Sequence, residues 1–394
     1  MNQTATAENP LNRLSREQID EIGEKFQAIH DEVYADLGQR DRDYIQNIVQ
    51  FHRRLAAMGR IELMASRYTP ALILGTLTLG AAKIIENMEI GHNVMHGQWD
   101  WMNDPHIHSS TWDWDTASPA AAWKHSHNYV HHTYTNVIGK DKDVGYEIMR
   151  VDPSQPWHPA FLFQPLYNIL LAAFFEWGVA FHDLDFEAIK KGTKPKQQVQ
   201  DELRAIGVKA RRQIVKDYIA FPLLSGKYWK RTLKANLVAN LIRNVWSYAI
   251  IFCGHFPDQA YTFTEEELEA DDSKGAWYIR QLIGAANIDG GPAFHFMSGN
   301  LSFQVEHHLY PDMPSSRYQE IAPRVKAICE EYGLPYNTGP FHKQFGMVQR
   351  TLIRLAFPGG KPRPKPGPYR APAATEPSSN GLAPDPEGAL AAFP

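Results

Sequence analysis

The sequence predicts an all-α chain, a helical bundle with a histidine-rich cap, on three observations. It holds three apolar segments of about 20 residues, the length a helix needs to cross a bilayer. It contains 17 histidines with three short clusters among them. Two of those clusters space their histidines four apart, which puts imidazoles on one face of a helix.

Taken in order, residues 12–65 read as amphipathic helix of mixed charge and are expected to form a soluble N-terminal region, 1–65. The apolar segments follow at 68–88, 161–181 and 237–256, the last preceded by a short apolar patch at 218–224. The third carries Arg243 and several asparagines, and the mean hydropathy is −0.41, low for a chain with many spans. From residues alone, membrane spans and buried core helices both stay open. The basic stretch 190–216 belongs on the cytoplasmic side of a membrane. A straight crossing at 161–181 would put it outside, so that segment is expected to lie in the interface or to dip in and return. The polar start MNQTATAENP has no apolar core, so no signal peptide is expected and the soluble parts face the cytoplasm. A main domain spans 66–345. The remainder, 346–394, becomes rich in Pro, Gly and Ala from Gly359 and is expected to be disordered.

Composition narrows the function. A net charge of −4 argues against a nucleic-acid partner. Cys253 and Cys329 are the two cysteines, too few for an iron–sulfur cluster or a disulfide framework. Ten tryptophans suggest a lipid–water boundary or an apolar tunnel, with Trp99, Trp101, Trp112, Trp114 and Trp123 around the first two histidine clusters.

The first cluster is His92 and His96. The second is His125, His127, His131 and His132. The third is Gln304, Glu306, His307 and His308. A lone pair four apart is weak, but helical pairs joined to vicinal HH pairs are hard to explain as solvated surface. Burying that many imidazoles without metal would leave ring nitrogens unsatisfied. Eight clustered histidines without a usable thiolate suffice for two ions, and imidazole suits iron, zinc, copper and nickel alike. Asp141, Asp143, Glu306 and Asn300 are candidates to accept the other ring N–H of a ligand. His106 and His108 read as loop positions. His30, His52, His158, His182, His295 and His342 lack partners at ligand spacing.

HNVMH, HNYVHH and QVEHHLYP, in this order and flanked by apolar segments, resemble the three histidine boxes of the integral-membrane fatty acid desaturases. The likeness covers roughly residues 68–340. ENMEIGHNVMHGQWDWMNDP and CGHFPD look closest to bacterial acyl-CoA desaturases of the delta-9 type. The resemblance implies an integral-membrane bundle with a cytosolic di-iron cap at the cytoplasmic membrane. It implies ligands at His92, His96, His127, His131, His132, His307 and His308, with His255 the eighth, as it fits the family's further histidine after the last apolar segment. His125 is a possible ninth, and Gln304 either a ligand or an orienter.

The family implies that a reduced di-iron centre uses O2 to remove two hydrogens from a fatty acyl chain and leave a cis double bond. With no GxGxxG, no HPGG and too few cysteines, the electrons are expected from a separate NAD(P)H-dependent reductase or a ferredoxin. The basic stretch 190–216 could dock that partner or face anionic lipid. Acyl-CoA is the first-choice substrate and phospholipid acyl chains the second. The competitors are a membrane hydroxylase on the same scaffold and a non-enzymatic metal transporter. The transporter is disfavoured because its ligands belong mid-membrane.

Overall fold

Two helices are long and apolar enough to cross a bilayer, Thr69–Met95 with 27 residues and Gly226–His255 with 30. At 1.5 Å per residue both exceed the roughly 30 Å hydrocarbon layer. They belong to a computed structural model that describes residues 9–360 and 363–371. Among these, the only strands are Asn287–Asp289 and Thr338–Pro340, a short parallel pair.

Each long helix is half of a hairpin. The helix Gln39–Met64 turns back along Thr69–Met95 and packs so closely that a Cβ on Gly59 would stand 2.9 Å from the Leu79 amide nitrogen. Part of the expected N-terminal region thus packs directly on the first long helix. This helix exposes Phe51, Met58, Ile61 and Met64, and its neighbour exposes Ile73, Leu74 and Leu77. Sequence reading missed it because the inner face carries charge that only tertiary pairing satisfies. The second hairpin begins at Lys196–Gln213 and continues through a π-turn, Ile214–Ala220, and Phe221–Leu224. It ends beside the start of Gly226–His255, where the Ser225 and Thr232 hydroxyls lie 2.7 Å apart.

Charge is buried between the hairpins. The Asp217 carboxylate accepts from Arg60 at 2.5 Å and Lys83 at 2.7 Å, while Asn236 donates to its carbonyl at 2.5 Å. Arg243 is buried in an ion pair with Glu176, which also accepts from Gln213 at 2.6 Å. Intramembrane charges normally face the bundle interior in this way. Glu176→Ala would leave the Arg243 guanidinium buried and unpaired. A loss of about 3–5 kcal/mol is expected, read as a lower melting temperature in detergent, with a smaller loss for Glu176→Gln. An unchanged melt for Glu176→Ala would show that Arg243 has another counter-ion or water.

The middle apolar segment is not a straight helix. Pro159–Ala173 and Phe175–Lys191 meet at 103°, and Gly178 leaves room for Leu171 to fold into the bend. The bend agrees with a segment that does not make one simple crossing. Beyond it, Lys209 reaches the Trp114 carbonyl at 2.5 Å, so the basic stretch lies at the histidine end of the bundle. The last helix, Phe341–Leu355, runs past the expected boundary at 346 because Val348 and Leu352 pack into a core with Phe252 and Phe256. Residues 363–371 are also held, with the Tyr369 amide donating to Leu334 at 2.9 Å. The tail expectation for 372–394 lies outside the described residues.

Candidate metal centre

The three boxes meet at the C-terminal ends of the two long helices. Glu86–His92 is wound as a π-helix, and so is Lys124–His131 within the short helix 120–134. Such i→i+5 turns are rare and recur at functional sites. The wider turn brings His127, His131 and His132 together, with ring centroids 4.9–5.3 Å apart. His125 stays outside, exposed and stacked on Tyr129 at 5.9 Å, which corrects its place as a possible ninth ligand.

Two groups result. Ligand-capable atoms of His92, His96, His127 and His307 lie within 4.8 Å of one another, and so do those of His131, His132 and His308. His255 joins the second group, its ring 4.8 Å from His131 and 4.9 Å from His308. Glycines precede both helix-borne histidines at close approaches. A Cβ on Gly91 would meet the Glu86 carbonyl at 2.8 Å, and one on Gly254 would meet Gln304 Cγ at 2.7 Å.

The hydrogen bonding fits metal. Buried Nε2 atoms of His96, His127, His131, His132, His307 and His308 have no partner, nor has Nδ1 of His132 or His255. Several of the opposite nitrogens are anchored. His131 Nδ1 meets Asp141 at 2.9 Å, His127 Nδ1 meets Asp143 at 3.3 Å, His307 Nδ1 meets Tyr318 at 3.2 Å and His308 Nδ1 meets Gln281 at 3.0 Å. One nitrogen free and the other oriented is the usual state of a metal-binding histidine. Burial, reinforced by neighbouring imidazoles, holds His96, His132, His307 and His308 well below the usual range, in the neutral form that ligates metal. Burial also disfavours a charged His131, but the Asp141 carboxylate beside it raises that group to about 8.

Asp141→Asn is expected to weaken metal retention about 10–100-fold, as loss of an orienting carboxylate does elsewhere. Chelator titration measures this. Unchanged retention would leave Asp141 a loop-shaping residue, since it also accepts from the Asn136 and Asp143 amides.

Of three other candidates, one lies where expected and two do not. Gln304 does reach the cluster, its Nε2 3.1 Å from His255 Nε2. Glu306 instead turns to Tyr336 at 2.6 Å and Asn287 at 2.8 Å, because its side of the helix faces the short sheet. The Asn300 side chain donates to Glu89 at 3.1 Å and meets no histidine ring. Of the tryptophans, Trp114 and Trp123 line the cavity beside the cluster, and Trp123 stacks on His127 at 4.6 Å. Trp99 is fully buried against Tyr44, while Trp101 and Trp112 pack in or against the same core, so none of the three lines it.

Sequence reasoning passed over His182, whose Nε2 lies 3.0 Å from Asp143, and Gln281 and Tyr318, which orient ligands. These partners come from distant segments with no motif of their own. The cavity reaches His92, His127 and His255 between apolar walls that include Met88, Phe175, Val179 and Ile251.

Residues 68–340 match the family model "Fatty acid desaturase". The chain belongs to the fatty acid desaturase family. This makes it an integral-membrane oxidoreductase of lipid metabolism. The desaturase is 50% identical over 349 residues to the NADPH-dependent stearoyl-CoA 9-desaturase of Mycobacterium tuberculosis, covering 88% of this chain and 82% of that protein. It is 26% identical over 332 residues to the sn-1 linoleoyl-lipid 6-desaturase of Synechocystis, covering 79% of this chain and 89% of the relative. No solved structure matches it.

Proposed function

We propose that this desaturase introduces a cis double bond at the delta-9 position of a fatty acyl-CoA. Two irons would be held by His92, His96, His127 and His307 and by His131, His132, His255 and His308. The observation that carries this reading is the convergence of orphaned buried ring nitrogens beside an apolar cavity. The carrier and position rest on the likeness to the stearoyl-CoA relative. Such a centre supplies the O2-dependent oxidising power that breaks an unactivated C–H bond, which side-chain acid–base chemistry cannot.

The chain's own residues do the rest. Met88, Val179 and Ile251 offer the hydrocarbon an apolar path past His92 and His255. Trp123 packs edge-on against His92 and His96 and shields the cluster from water. Asp141, Asp143, Gln281 and Tyr318 fix ring orientation. Electrons come from a separate NADPH-dependent reductase or a ferredoxin, in line with the relative's printed NADPH dependence. The basic stretch beside the cap supports a cytoplasmic orientation in the cytoplasmic membrane.

The test is expression in a host that lacks unsaturated fatty acids, with profiling of thioesters and lipids. Accumulation of a delta-9 acyl product lacking two hydrogens is expected, first in the thioester pool. A product carrying one added oxygen would make the enzyme a hydroxylase, and appearance in phospholipid first would reassign the carrier. Metal analysis is expected to find about two irons per chain; one zinc and no iron would end the di-iron reading.

A further inference from the structure

A second cavity, of about 430 Å³, lies between the helices Gln39–Met64, Thr69–Met95 and Lys196–Gln213 and is lined by none of the clustered histidines. Its volume lies within the roughly 300–1,000 Å³ of small-molecule sites. Arg53, Arg60, Lys83, Lys209, Arg212 and Lys216 line it, against the carboxylates of Glu86, Asp113 and Asp115. Four of the six cations are already paired. Lys209 meets Asp113 at 2.6 Å, Lys216 meets Asp115, and Arg60 and Lys83 share Asp217. Arg53 and Arg212, on two different helices, are exposed and make no side-chain ion pair or hydrogen bond among the described residues.

The surroundings of these two arginines narrow the ligand. One to two turns beyond them the same helices turn apolar side chains outward, Met58 and Ile61 on one, Val215 and Ile219 on the other. Trp112 and Trp114 stand in the cavity wall, as aromatic rings do at the headgroup level of a bilayer. A guanidinium group recognises phosphate oxygens through its paired N–H donors, and the exposed apolar surface suits hydrocarbon attached to a phosphate ester. Trp114 and Thr116 also line the cavity beside the histidines, so the occupant would press on a wall of that site.

We propose that this cavity binds the phosphate group of an amphiphile through Arg53 and Arg212. Two sources share that chemistry, an anionic phospholipid headgroup and the phosphates of an acyl carrier. The test uses the metal-loaded, full-length enzyme in a neutral detergent, titrated separately with short-chain phosphatidylglycerol and with coenzyme A. At least one probe is expected to bind wild type, to weaken with salt, and to lose about ten-fold or more in affinity in the Arg53→Gln, Arg212→Gln double variant. Loss for phosphatidylglycerol assigns a lipid site and loss for coenzyme A assigns the carrier. Binding of neither probe, or equal binding by wild type and variant, overturns the proposal. Should the double variant misfold, Arg212→Gln alone carries the same comparison, since that side chain is exposed. The readout is binding, so a failure here is distinct from a failure of the desaturase reading.

Discussion

His308→Ala is expected to abolish desaturation while leaving the chain folded in the membrane. His308 is fully buried, its Nε2 lacks a partner and its Nδ1 is held by Gln281. It shares the second group with His131 and His132, and alanine leaves no nitrogen there to replace it. Loss of an orienting partner alone costs about 10–100-fold in metal affinity or activity, so loss of a ligand is expected to cost more. Iron content should fall with activity, and His131→Ala should behave alike. His342→Ala, at an exposed position, should be nearly silent. A His308→Ala enzyme with wild-type turnover and full iron would show the second group to be misassigned.

The next largest effect is expected from His255→Gln. Its ring is buried at the end of the helix Gly226–His255, one nitrogen against Gln304 and the other without a partner. As a ligand it should take iron and activity down together, from about two irons toward one per chain. As a C-terminal cap it would be worth only about 0.3–1 kcal/mol, and turnover per folded molecule would stay intact. Gln304→Ala separates the roles further. If Gln304 only orients His255, the variant weakens metal retention without emptying the site. Full iron and full specific activity in His255→Gln would make that histidine structural, and the second ion would need another residue. His125 is not available for it, being exposed and turned toward Tyr129.

Much of the centre was legible because metal chemistry imposes local patterns. HNVMH, HNYVHH and QVEHH each place imidazoles a helical turn or less apart, and such spacing survives whatever the rest of the chain does. The partition into two groups was not legible. The second box is divided, with His127 beside His92, His96 and His307 while His131 and His132 stand with His308. Glu306 and Asn300 were reasonable carboxylate and amide candidates by proximity in sequence, but Glu306 lies on the side of its helix that faces Tyr336, and Asn300 sits in a turn beside Glu89.

By itself the sequence determined an all-α chain, its apolar segments, the histidine boxes and the family to which they belong. The first three rest on composition or on short-range periodicity, which the chain carries before it folds, and the family rests on the resemblance of the three boxes. Tertiary structure alone decided that the helix Gln39–Met64 packs against the first long helix, and that the middle apolar segment bends by 103°. It alone also decided that Gln281 and Tyr318 orient histidines while Glu306 and Asn300 do not. The physical reason is the same in each case. A buried charge such as Arg60, Lys83 or Arg243 reads as a soluble feature until Asp217 or Glu176 arrives from a distant segment to neutralise it. An orienting glutamine or tyrosine has no signature until folding sets it against a ring nitrogen.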